Sequence, residues 1–146
     1  MINIFISYSR QDLEFAQKID LVLSPLKRNG RVDVWDDRKI LPGEEWDSAI
    51  KNSLNKADII LLLVSASYLA SDYLTEVEMN SAFHRMREGG VMVIPIIIRP
   101  CLWQNTDIGQ LQVLPRNGKA LTESTSIDEE LFSLVKDINK VIDSIE

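Results

Sequence analysis

The stretch 57–79, ADIILLLVSASYLASDYLTEVEM, limits what this chain can fold into more than any other. Its apolar run, residues 59–64, is too short for a buried helix and ends in a serine-rich bend. Such a run reads as a strand covered on both faces, the signature of a parallel sheet. The bend leads into a helix whose first turns carry the acids Glu76 and Glu78. In open parallel sheets ligands bind beyond the carboxyl ends of the strands, where strand-to-helix loops of this kind lie. Any chemistry is therefore expected here.

The rest of the chain repeats the pattern. Residues 2–7 make a short first strand, and the loop Tyr8-Ser9-Arg10-Gln11-Asp12 follows, with Ser9 and Asp12 at capping-box spacing. Leu13, Ala16, Ile19, Leu23 and Leu26 then recur at helical spacing, with Pro25 ending or bending the helix and Asn29-Gly30 stopping it. Residues 31–35 alternate as a second strand, and the charged loop 36–43 closes on Pro42-Gly43. Trp46, Ala49, Ile50, Ser53 and Leu54 line one face of a second helix. After the third strand, Met79, Ala82, Phe83 and Met86 form the buried face of a third helix that stops at Gly89-Gly90. Residues 91–98 are a fourth apolar run whose Pro95 implies a bulge or an incompletely paired position. Residues 100–124 offer turn signals with a short helix and strand. Ser126 and Glu129 then open a final helix with one continuous apolar face from Leu131 to Ile145.

Strands alternating with amphipathic helices define a βαβ architecture with right-handed crossovers. The expectation is a flavodoxin-like α/β fold: one domain over 1–146, a parallel sheet of about five strands in the order 2-1-3-4-5, helices on both faces. The switch point lies between strands 1 and 3, so the polar loops after strands 1, 2 and 3 crowd one edge.

Several function classes drop out. No GxxxxGK or GxGxxG is present, so neither a phosphate loop nor a dinucleotide fingerprint is supported. Lone His84 and lone Cys101 cannot build a zinc site, and His84 is expected on a helix surface. No metal or cofactor is expected. A receiver domain would need an aspartate where Ser65 ends the third strand. The net charge of −6 argues against a nucleic-acid backbone as partner. No stretch reaches membrane-spanning length and the N-terminus lacks a signal-peptide pattern, so the expected location is the cytoplasm.

The ordered set FISYSRQD, WDDRKILPG, LLLVSASYLASDYLTEVEM and VIPIIIRPCLW resembles a TIR (Toll/interleukin-1 receptor) domain of the bacterial type over essentially the whole chain. The resemblance implies the same flavodoxin-like fold and one of two functions. Many bacterial and plant members cleave NAD+ at the nicotinamide–ribose bond, with NAD+ as substrate rather than cofactor. They yield nicotinamide with ADP-ribose or a cyclic relative. Many animal members are adaptors that stack on other TIR domains. The resemblance also implies a homo-oligomer or filament, and a sensor supplied by a partner protein or by a longer parent of which this chain is the N-terminal piece.

Carried over residue by residue, the resemblance makes Glu78 the catalytic acid, with Glu76 the alternative. Taken alone, Thr75 and Glu78 form T-x-x-E, a capping box for a helix beginning at Thr75. Where the family often has Trp four residues before the acid, this chain has Leu74, with Tyr73 beside it. Ser7, Tyr8 and Arg10 match the nucleotide-pocket loop; Arg10 reads equally well as a solvated arginine at a helix entry. Asp37, Arg38, Leu41, Pro42 and Gly43 belong to the loop that gates the site and contacts neighbours, although Pro-Gly is also an ordinary turn. Trp46 stands where an aromatic commonly faces nicotinamide and is carried with Arg38, Tyr73 and Leu74 as a substrate-binding candidate, although its place on the apolar face of helix two favours core packing. Cys101 and Trp103 are assigned to packing alone.

Overall fold

A computed structural model describes residues 1–146. Four strands, β1 (Ile2–Ser7), β2 (Val32–Trp35), β3 (Ile59–Val64) and β4 (Met92–Ile97), form one parallel sheet in the order β2-β1-β3-β4. The register sets Ile4 beside Val34 on one side and Ile59 on the other. The expected flavodoxin-like order is present, with four strands in place of about five. Where a fifth would lie, chain 100–124 makes a single parallel bridge, Leu114 to Ile96. That segment is otherwise short 3-10 turns at Trp103–Asn105, Asp107–Gln110 and Leu121–Glu123. Its apolar residues are interrupted by Pro100, Gly109, Pro115 and Gly118, so no sustained apolar run extends the ladder.

Each strand of a parallel sheet feeds both layers. In β3, Ile59, Leu61 and Leu63 face helices α1 (Leu13–Val22) and α6 (Ile127–Ile145). Ile60, Leu62 and Val64 face α3 (Trp46–Lys56) and α5 (Asn80–Arg87). All of β3 is inaccessible to solvent, which is why its sequence is apolar without alternation. Pro95 needs no bulge. Ile98 N donates to β3 and Ile97 N donates outward to Leu114, so the nitrogen of Pro95, in phase with Ile97, faces the outer edge.

Helix boundaries refine the expectations. The first helix breaks at Leu23, and a separate turn α2 (Ser24–Arg28) carries Pro25 near its start, where a missing N–H is harmless. In α1, Phe15 joins Ala16 and Ile19 in the core while Leu13 is exposed. Ser126 caps α6 by accepting from Glu129 N, but its own N–H goes to Ser124, so the box is half formed. The short helix α4 (Ala66–Ala70) is capped by Ser65. His84 is exposed and paired with Glu88.

Candidate functional site

Glu78 lies on a π-helical turn, Leu74–Met79, that precedes α5. π-turns inside helices recur at functional sites because the wider turn re-aims side chains. Helical structure begins upstream of Thr75: Ser71 accepts from Leu74 N through its side chain, and Thr75 Oγ1 donates to Ser71 O. The capping reading of Thr75 and Glu78 is thereby corrected, since neither side chain caps at these positions. Met79 enters the core, Glu76 is exposed, and Glu78 is 7% exposed.

Ser7, the last residue of β1, donates to Glu78 Oε1 at 2.7 Å. A serine has one proton to give, so the contact at 2.8 Å between Ser7 Oγ and the Tyr68 hydroxyl runs from tyrosine to serine. The chain Tyr68–Ser7–Glu78 fixes the carboxyl from behind. Burial raises the Glu78 pKa to about 7, with the charge of Asp37 adding to the rise; the Ser7 donation and nearby Tyr73 oppose it. The Tyr73 hydroxyl is itself buried and closes no hydrogen bond. It feels Glu78 electrostatically without reaching hydrogen-bond geometry, and burial followed by that charge push its ionisation far above the ordinary tyrosine range.

Glu78 opens onto a cavity of about 600 Å³ at the carboxyl edge of the sheet. Pockets for small ligands generally span about 300–1,000 Å³. Tyr8 and Arg10 line it from the β1 loop, Asp37 and Ile40 from the β2 loop, Trp46 and Ile50 from α3, and Tyr73 and Leu74 from the π-turn. Trp46 is not packed in the core. It is 54% exposed and meets Tyr73 edge-on, ring centroids 5.4 Å apart. It opens α3 at the rim of the cavity, one turn before Ile50 becomes the first residue covered by the sheet.

The remaining expected residues divide. Ser7 is 1% exposed and supports Glu78 from beneath rather than lining the cavity. Arg38 turns aside, clamping Asp36 through Nε at 3.0 Å and NH2 at 2.8 Å, with Asp20 at 3.7 Å. It borders a side groove shared with Tyr8, Arg10 and Asp37. Leu41, Pro42 and Gly43 are exposed outside the cavity, Gly43 at φ +90° where glycine is favoured. Asp37, expected only in that loop, is in the cavity and accepts from the Tyr8 hydroxyl at 2.6 Å. The available signal was its place in the loop that leaves β2 at the carboxyl edge of the sheet.

Sequence reasoning also passed over a buried carboxylate. Asp12 is wholly inaccessible and accepts from Ser65 Oγ at 2.5 Å and Arg99 Nε at 2.9 Å. It does not complete a box with Ser9, which instead accepts from Gln11 N. Asp12 ties the turn bearing Arg10 to the ends of β3 and β4. Cys101 and Trp103 are half-buried against the second core layer. No group of His, Cys, Asp and Glu side chains is arranged to hold a metal ion, and no helix is long and apolar enough to cross a membrane.

The family model described as TIR domain matches residues 4–131. An uncharacterized protein, y4lF, of Sinorhizobium fredii (strain NGR234) is 41% identical over 140 residues, covering 96% of this chain. The chain spans 43% of that relative's length, less than half. Among solved structures, the TIR domain of the Toll-related receptor TRR-2 from Hydra magnipapillata matches with a TM-score of 0.52 and 18% identity. That match covers 71% of this chain and 78% of the receptor domain, a likeness of fold.

Proposed function

This chain belongs to the TIR domain family, and from that premise we propose that it cleaves NAD+ at the nicotinamide–ribose bond. The observation that carries the reading is the Glu78 carboxyl, held by Ser7 at 2.7 Å and facing a cavity of about 600 Å³ walled by Trp46 and Tyr73.

The chemistry asks for one carboxylate. Nicotinamide in NAD+ is a cationic leaving group that departs neutral, so the reaction needs no general acid. Positive charge develops on the ribose as the bond breaks, as in other glycosyl transfers. An ionised Glu78 beside the ribose stabilises that charge and accepts from its hydroxyls. The Ser7 donation favours the ionised form, and a bound pyridinium cation favours it further. Water or a group of the same nucleotide then takes the ribose carbon, giving ADP-ribose or its cyclic relative.

Assembly with other TIR domains is part of the reading, with the exposed residues Leu41, Pro42 and Gly43 as the contact loop. In a bacterial cell the outcome would be depletion of NAD+ or production of a signal in antiphage defence, with the trigger supplied by a sensor domain or partner. The competing reading is a scaffold in which this loop matters and Glu78 does not.

The deciding experiment incubates concentrated protein with NAD+ and separates the products by chromatography. Glu78→Gln should lower the rate at least about a hundredfold, the loss expected for one well-placed electrostatic group. Exposed Glu76→Gln should keep most of it. A Glu78→Gln protein that turns over at the parent rate would refute the assignment, and absence of any cleavage by assembled parent protein would favour the scaffold.

A further inference from the structure

Two carboxylates face the cavity, and their surroundings differ. Glu78 is 7% exposed at the base and held by Ser7. Asp37 is half-buried in the wall, accepts the Tyr8 hydroxyl at 2.6 Å and makes no ion pair. The nearest arginine in sequence, Arg38, is committed to Asp36 and Asp20. The cavity's cation, Arg10, is exposed at its mouth and likewise pairs with no acid. Charge therefore runs from an acidic interior to a basic rim. A half-buried carboxylate held by one hydrogen bond and by no counter-ion leaves its charge available to a ligand of opposite sign.

We propose that Asp37 is the specificity-determining acid of this cavity, recognising the positive charge of a pyridinium ring, while Glu78 serves the reacting ribose carbon. This rests on the NAD+-cleavage reading and extends it. A dinucleotide of this kind is cationic at the pyridinium and anionic at the pyrophosphate. The polarity of the cavity orients it with the ring inward, toward Asp37, Trp46 and Tyr73, and the phosphates outward, toward Arg10. The Tyr8 hydroxyl fixes the orientation of Asp37 without neutralising it. The aromatic walls also favour a cation. Asp37 adds a charge contact that a neutral ring of the same shape cannot use, and that disappears as the ring leaves neutral. Product release is thereby favoured.

The test compares two probes of matched shape, the N-methylnicotinamide cation and neutral nicotinamide, by quenching of tryptophan fluorescence and by calorimetry. The proteins are the parent, Asp37→Asn, Tyr8→Phe and Glu78→Gln. Asp37→Asn should weaken the cation about tenfold, the size of one partly buried opposite charge, and leave nicotinamide within about twofold. Tyr8→Phe and Glu78→Gln should each retain a preference for the cation. Should Asp37→Asn fail to fold, the parent decides alone: its preference must fall as salt is raised while nicotinamide binding holds steady. Equal loss of both probes, unchanged cation binding, a preference lost with Glu78 rather than Asp37, a salt-insensitive preference in the parent, or no preference in the parent would each overturn the proposal. Because binding is read without turnover, the proposal can fail while NAD+ cleavage stands, and the reverse.

Discussion

Replacing Glu78 by Gln tests the site through stability as well as rate. In the folded protein burial holds the Glu78 pKa at about 7, against an ordinary 4.5 once unfolded. Between those values the native state keeps a proton that the unfolded state has released, so stability falls as pH rises through this window. Each pH unit of difference is worth about 1.36 kcal/mol, which over the window amounts to about 3 kcal/mol of destabilisation complete by roughly pH 8. Gln keeps the shape and can still accept from Ser7, but it does not titrate. Urea unfolding of parent and variant at pH 5 and at pH 8 isolates the contribution, because the other titrating groups are common to both. The variant should gain on the parent by about 2–3 kcal/mol between the two pH values, since part of the window lies below pH 5, and be the more stable protein at pH 8. A helix-cap role would give the opposite sign, a loss of about 1 kcal/mol. If the stability difference between the two proteins is the same at both pH values, the buried, proton-holding carboxyl is refuted.

Three further outcomes follow from the same geometry. With the ionised form of Glu78 required, kcat/KM for NAD+ should rise with pH through about 7 and level off above it; a flat profile from pH 6 to 8 would contradict the electrostatic role. Ser7→Ala removes the donation to Glu78 and leaves the buried Tyr68 hydroxyl unpaired. It should cost about 1–3 kcal/mol in urea unfolding and move the rising limb of the pH profile upward. Asp12→Asn weakens the contacts to Ser65 and Arg99, and a loss of about 1–3 kcal/mol is expected; a neutral result in thermal unfolding would show that the buried carboxylate is not needed to hold the β1 loop.

The parts of the fold legible in the sequence were those written in periodicity. The run at residues 59–64 identifies a strand buried on both faces because both core layers rest on it. Leu131, Leu134, Ile138 and Ile142 mark α6 because one helical face is buried along its length. The segment 100–124 was not legible because its place is fixed by isolated contacts, such as Leu114 against Ile96, which leave no repeating pattern. Leu13 and Trp46 misled for a related reason. Both continue an apolar period beyond the region the sheet covers, and periodicity does not report where the cover ends.

The site was legible to the depth at which loops could be assigned to a sheet edge. Chain order places the loops bearing Tyr8 and Glu78 at that edge, but the choice of Glu78 comes from the family resemblance, since on the residues alone Thr75 and Glu78 read as a capping box. What the chain order hid is how charge is shared among neighbours. Asp36, Asp37 and Arg38 form one run in sequence, where Arg38 could pair with either acid. In the fold Arg38 takes Asp36, which is 3% exposed, and turns toward Asp20, leaving Asp37 to Tyr8 and the cavity. The division is made by the turn that follows β2: Asp36, still extended, caps it by accepting from Arg38 N at 2.9 Å, while Asp37 opens the 3-10 turn Asp37–Lys39. The residue that goes inward takes the counter-ion, and the next one lines the cavity. The same division separates Glu76, exposed on the helix surface, from Glu78 at the base of the cavity. In both pairs two nearby acids share a composition but not a dielectric. Removing the outward or paired member should perturb stability or nothing, whereas removing Asp37 or Glu78 should perturb the cavity's preference for positive charge, in the ring and in the ribose respectively.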